Sequence, residues 1–169
     1  MKNKSALSIY TFLLVCFTFM LTVEKASAQE NGIYELANNN TLSKTTVKKP
    51  SNRDEFYKLA QNLHTTVYIN NNAISKTYGE GKVQKIILKD SKSFNLLNSS
   101  NYNNVELITV TLKKASDLNN KLNLSANKNF GKLKYVFIKC YFKCTANQIE
   151  KFITSNSNIR IFYSTEIPS

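Results

Sequence analysis

Across residues 65–163 the chain falls repeatedly into short runs in which every second residue is apolar. The runs cover 65–69, 83–89, 105–112, 133–139 and 159–163. They are rich in Val, Ile, Thr, Tyr and Phe, so alternation and composition both predict strands. The period changes in two places. Phe56, Leu59, Ala60 and Leu63 recur at spacings of three and four, which predicts a helix from Arg53 capped by Ser51 or Asn52. Ile149, Phe152 and Ile153 predict a second helix, opened by Thr145 and Gln148 at capping-box spacing and ended by SNSN, residues 155–158.

The start of the chain is patterned differently. Lys2 and Lys4 precede an apolar run, TFLLVCFTFMLTV, over 11–23, which stops at Glu24 and Lys25. ASAQ follows, with Ala26 and Ala28 at the small-residue positions of a cleavage site. The pattern predicts a secretory signal peptide over 1–28. The run is shorter than the roughly 18 apolar residues of a spanning helix, so no stable membrane span is expected after cleavage. Cys16 sits inside the apolar run without the small preceding residue of a lipoprotein signal. Residues 29–51 carry NNN, several Ser and Thr, and Pro50, with few large apolar residues, and read as a flexible linker. Residues 52–169 then form a single domain long enough for a core.

The strand-like runs are also spaced regularly. Val83, Ile86 and Leu88 fit the pattern L-x-x-L-x-L, as do Val105, Ile108 and Val110, and Leu133, Val136 and Ile138. Val67 with Ile69, and Ile159 with Ile161, fit its last two positions. The fourth positions lie 19, 22, 28 and 23 residues apart, within or close to the 20 to 29 of leucine-rich repeats. The chain therefore resembles a short, degenerate leucine-rich repeat. That resemblance implies an α/β fold: a small solenoid with a parallel sheet and connecting helices. The family's Asn or Cys three positions after the last Leu is replaced here by Ser91, Lys113, Tyr141 and Ser164. The alternative is an α+β domain with an antiparallel sheet, because GEG at 79–81 is a plausible hairpin turn.

Strand parity predicts a face. Neighbouring side chains point to opposite sides of a strand. Opposite the core residues lie Tyr68 and Asn70, then Lys85, Ile87 and Lys89, then Leu107, Thr109 and Thr111, then Tyr135, Phe137 and Lys139, then Arg160 and Phe162. In a parallel sheet in register these share one surface, and Lys85, Lys89, Tyr135, Lys139 and Arg160 are its candidate binding residues. The competing expectation is that Ile87, Leu107, Phe137 and Phe162 are covered by another layer, as parallel sheets often are on both faces.

Charge narrows the partners. The formal net charge is +12. Removing Lys2, Lys4, Lys25 and Glu24 with the signal peptide leaves +12 − 3 + 1 = +10, which favours encounter with anions. An exported protein, periplasmic or extracellular, meets an anionic glycan, a cell-envelope component or a protein rather than nucleic acid. Catalytic signatures are missing: there is no H-E-x-x-H, no G-x-S-x-G and no glycine-rich phosphate loop in a chain with four glycines and one histidine, His64. No metal or cofactor is expected. Cys140 and Cys144 lack the C-x-x-C redox spacing, which leaves a short-loop disulfide or a buried pair of thiols. The sequence thus points to an exported, non-catalytic binding or interaction module using the basic and aromatic sheet face. The alternative is an exported enzyme or enzyme inhibitor with a site that no motif reveals.

Overall fold

The computed structural model describes residues 32–36, 52–98, 102–125 and 128–167. The signal peptide expected over 1–28 lies outside the described residues, as do 37–51 of the expected linker. In chain order the elements are β1 (Ile33–Glu35), α1 (Asn52–Gln61), β2 (Thr66–Asn70), β3 (Ala73–Tyr78) and β4 (Lys85–Leu88). A 3-10 turn (Phe94–Asn98) leads to β5 (Leu107–Leu112), and a second (Ala115–Asn119) leads to β6 (Leu122–Asn123). Then come β7 (Tyr135–Cys140), α2 (Ala146–Phe152), β8 (Ile153–Thr154) and β9 (Arg160–Thr165).

Seven strands form one sheet in the order β1-β9-β7-β5-β4-β2-β3. Every pairing in it is parallel except β2 with β3, so the fold is α/β with a mostly parallel sheet. The antiparallel alternative survives only in the β2–β3 hairpin. That hairpin turns at Asn71 and Asn72, with φ of 51° and 57°, and not at GEG. Two consecutive left-handed residues match the twist of a two-residue hairpin, and Asn tolerates them. Gly79 and Gly81, with φ of 78° and 88°, lie between β3 and β4.

The register follows the expected apolar positions. Val67, Ile86, Ile108 and Val136 are successive partners across β2, β4, β5 and β7, and so are Ile69, Leu88, Val110 and Ile138. In β9 the partners are Ile161 and Tyr163 instead of Ile159 and Ile161. The slip is two residues because the backbone N–H of Ile159 closes a turn onto the Asn156 carbonyl, and pairing starts only at Arg160. A two-residue slip preserves parity, so the same side chains still face the core. A second difference concerns the linker. Ile33–Glu35 lie inside the span read as mobile, yet they pair with Ile161–Tyr163 as the edge strand β1.

The sheet is covered unequally. One face carries the main core, where Val67, Ile86, Ile108, Val136 and Ile161 pack against Leu97, Tyr102, Leu122, Leu124, Ile149 and Phe152 from the connecting segments. Helix α2 is set by its capping box, with Thr145 N–H donating to Gln148 Oε1 at 3.0 Å and Gln148 N–H donating back to Thr145 Oγ1 at 3.4 Å. The opposite face receives α1, whose Phe56 and Leu59 are buried against Leu107, Tyr135 and Phe162. Asp54 and Glu55 in its first turn favour the helix N-terminus.

Candidate functional site

The face opposite the main core runs in rows across the strands. The first row is Lys85, Leu107, Tyr135 and Arg160. The second is Ile87, Thr109, Phe137 and Phe162. Thr111, Lys139 and Ser164 continue the third, and Lys89, the residue after β4, follows one step beyond the Leu88–Val110 pair. The parity expected from sequence is therefore realised as one surface.

Helix α1 divides that surface. Over the first row it is fastened at both ends. At its start, the Glu55 carboxylate accepts from Lys134 Nζ at 2.6 Å and from Tyr135 Oη at 2.7 Å. Lys134 also pairs with Glu106 at 3.0 Å. The Lys134 ammonium, followed by the Tyr135 hydroxyl, holds the Glu55 carboxyl below its ordinary value. Burial, and then the neighbouring Glu55 carboxylate, push the Tyr135 phenol up to about 12. At the other end of the helix, Lys85 Nζ donates to the carbonyls of Ala60 and Asn62 at 3.1 and 3.3 Å. It satisfies carbonyls that a helix end leaves unpaired, and burial pulls its pKa down.

Lys85 and Tyr135 are therefore not on an open face. Their relative exposures are 8% and 3%, and both hold α1 in place. Arg160, half-buried, shares their row beyond Tyr135. Lys89 and Lys139 lie past the helix, where the surface opens. Of the five candidates the structure thus brings Lys85, Lys89 and Lys139 to one opening and leaves Tyr135 and Arg160 outside it.

The opening is a groove of about 780 Å³. Its wall is Phe56, Tyr57, Ala60 and Gln61 of α1, with Leu36 after β1. Its floor is Ile87, Thr109 and Phe137, and beyond them stand Lys89, Thr111 and Lys139, then Lys113 and Tyr141. Among the described residues four lysines line the groove and no carboxylate does. Lys139 Nζ lies 3.2 Å from Glu166 and 5.4 Å from the Phe137 ring centroid. Lys89 Nζ lies 5.7 Å from the Tyr68 centroid. Among the described residues neither Lys89 nor Lys113 has an acid within salt-bridge distance. The lining offers the ammonium groups of Lys89, Lys113 and Lys139 with Thr111 at its outer end, and mostly aromatic and aliphatic carbon, with Tyr57, Gln61 and Thr109 among it, beside the helix. Such a set can hold an anion beside an apolar body.

Lys113 and Tyr141 are groove residues that the sequence reading left out. The signal was present: each continues the period of two past Thr111 and Lys139. They stood out only as departures from the repeat's asparagine position. The α1 wall carried no such signal, since an amphipathic stripe shows which side of a helix is buried but not where it docks.

Cys140 and Cys144 lie on the other side of the sheet, in the main core, as free thiols. Burial, and then the adjacent Cys144, push the Cys140 thiol well up. Cys144 Sγ is 3.6 Å from Thr165 Oγ1. His64 Nδ1 pairs with Gln84 Oε1 at 3.2 Å. Among the described residues no His, Cys, Asp or Glu side chains gather into a metal site, and no helix is long and apolar enough to cross a membrane. Compared with known proteins, the chain matches no family model, no curated protein and no solved structure.

Proposed function

We propose that the chain is an exported, non-catalytic binding module that takes an anionic partner at the groove beside α1. The observation that carries this reading is the lining itself: among the described residues, four lysines, no carboxylate, and aromatic carbon within one concave surface. The signal-like start at 1–28 argues for export, and export directs attention to an anionic glycan, a cell-envelope component or an anionic protein surface. The architecture is read as a short, degenerate leucine-rich-repeat-like solenoid. In favour of that reading, β2, β4, β5, β7 and β9 lie side by side in chain order. The strand starts also repeat one backbone pattern: the carbonyls of Thr65, Gln84 and Glu106 each accept two N–H groups from the next strand, and Lys134 accepts from Arg160. Ser91, at the repeat's asparagine position, is buried and accepts from Asn120 Nδ2 at 3.1 Å, one turn of chain away.

The test compares three forms of the mature chain for binding to the envelope fraction of the host. These are wild type, Lys89→Glu/Lys113→Glu in the groove, and Lys121→Glu/Lys151→Glu on exposed positions outside it. All binding should weaken as salt rises from about 50 to 300 mM, because exposed charges are screened. The groove variant should bind several-fold more weakly and with a shallower salt dependence, while the outer variant stays close to wild type. Equal loss in both variants would reduce the effect to net charge and overturn the groove as the site.

A further inference from the structure

We infer that the groove selects a long-chain carboxylate, bound with its tail under α1 and its head at the lysine rim; the inference rests on the reading of the groove as an anion site. The argument is the order of chemistry along the strands. Next to the helix, Ile87 and Phe137 form a floor facing Phe56 and Ala60. Thr109 is the single polar side chain of that floor and is only 9% exposed. One pleat period further, about 7 Å along, the row changes to Lys89, Thr111 and Lys139. Lys89 and Lys139 sit one strand to either side of Thr111, so their backbones are about 10 Å apart. Lys113 follows Thr111 by two residues, just past the end of β5. Lys85, the one lysine at the inner end, has its Nζ taken up by the carbonyls of Ala60 and Asn62, so the cationic donors left to a ligand lie at the outer end and the apolar floor lies inside them.

This segregation decides between anions. A small inorganic anion would use the rim and leave Ile87 and Phe137 half-exposed. A sugar would set several hydroxyl groups against Phe56, Ala60, Ile87 and Phe137, which have no side-chain polar atom, with only Tyr57, Gln61 and Thr109 of the inner lining to receive them, and unsatisfied hydroxyls in an apolar site are costly. A single acyl chain satisfies the inner end and a carboxylate the outer one. Lys139 is already paired with Glu166, so Lys89 and Lys113 are the cations available to the head. The volume of about 780 Å³ falls within the range of small-molecule pockets. Each methylene buried in the inner end should raise affinity roughly fourfold.

The experiment is calorimetric titration of the mature chain with dodecanoate below its micelle concentration, with octanoate, dodecanol and inorganic phosphate in parallel. The inference expects one dodecanoate per chain and at least tenfold weaker binding of both octanoate and dodecanol. Lys89→Glu/Lys113→Glu should weaken dodecanoate at least tenfold and leave dodecanol unchanged. Ala60→Trp, which fills the inner end, should abolish the difference between dodecanoate and octanoate. If phosphate and octanoate bind as well as dodecanoate and depend on Lys89 and Lys113, the anion site stands and the acyl chain is refuted. If dodecanoate binding ignores both variants, the groove is not its site and the acyl-chain inference falls, while the anion reading is decided separately by the loss of envelope binding in Lys89→Glu/Lys113→Glu. A concentration-dependent dimer that shields the groove from dodecanoate, seen by sedimentation, would also overturn the inference.

Discussion

Phe56→Ala tests the contact on which the groove depends. Phe56 is 1% exposed and packs its ring against Phe162, Phe137 and Tyr135 of the sheet, at centroid distances of 4.4, 5.5 and 5.9 Å. Burying a Phe side chain is worth about 1.5–3 kcal/mol. Three ring pairs across the interface, at roughly 0.5–1.5 kcal/mol each, bring the loss into the 3–5 kcal/mol seen for buried Phe→Ala. Phe56 also lines the groove, so the space left behind opens to water and is not a sealed cavity. The lower end, about 3 kcal/mol, is therefore expected. The opposite core does not contact Phe56 and remains intact, so the variant should still fold and unfold in one step. At about 4 °C per kcal/mol for a domain of this size, its midpoint should fall by about 12 °C. The chain has no tryptophan, so urea and thermal melts are followed by far-ultraviolet circular dichroism and tyrosine fluorescence. A loss below about 1 kcal/mol would mean that α1 is not seated on the sheet, and the groove would lose one wall.

Four further outcomes follow, three of them from named contacts and one from the signal-like start of the chain. The Glu55 carboxyl is held below its ordinary value of 4.5 by Lys134 and then Tyr135; a lowered folded-state pKa gives stability that is full above the unfolded value and is lost as pH falls through the folded one. Melts taken from pH 6 down to pH 3 should therefore show wild type losing stability faster than Glu55→Gln, and parallel curves would refute the contact. Cys140 and Cys144 should resist alkylation in the native chain and both react in urea, since both are buried thiols with Cys140 shifted up; no reactive thiol in urea would reveal a disulfide instead. Intact-mass measurement of the exported chain should begin at Gln29, whereas a truncation starting at Asn52 should melt lower, because it removes β1, the Tyr34 ring 5.6 Å from Phe162 and the Glu35 carboxylate that accepts from Tyr163 Oη at 3.1 Å. A cytosolic full-length chain would contradict the first expectation, and an unchanged melt the second.

The strands were legible because a sheet with one fully buried face fixes register through every second side chain. Val67, Ile86, Ile108 and Val136 are interior for that reason, and they align as their spacing implied. The last strand slipped because Ile159, Ile161 and Tyr163 share one parity, so alternation alone cannot choose between them. β1 was hidden because three residues are too few to show a period; β9 supplies its partners from 128 positions away. The division of the face was also hidden. Its expected exposure and its expected coverage are each realised on one half, and the boundary is set by where Phe56 finds Phe162 and Tyr135. Lys85 and Tyr135 read as surface chemistry in sequence, but a long side chain with a polar tip serves equally well to fasten a helix.

The groove as the anion site is tested most directly by an amide NMR titration of the mature chain, run once with dodecanoate and once with a sulfated oligosaccharide. The account predicts saturable shifts concentrated in residues 57–61, 87–89, 109–113 and 137–141 with at least one probe, and their loss in Lys89→Glu/Lys113→Glu. Shifts that fail to saturate with either probe, and that fall equally on Lys92, Lys121 and Lys151, would contradict it.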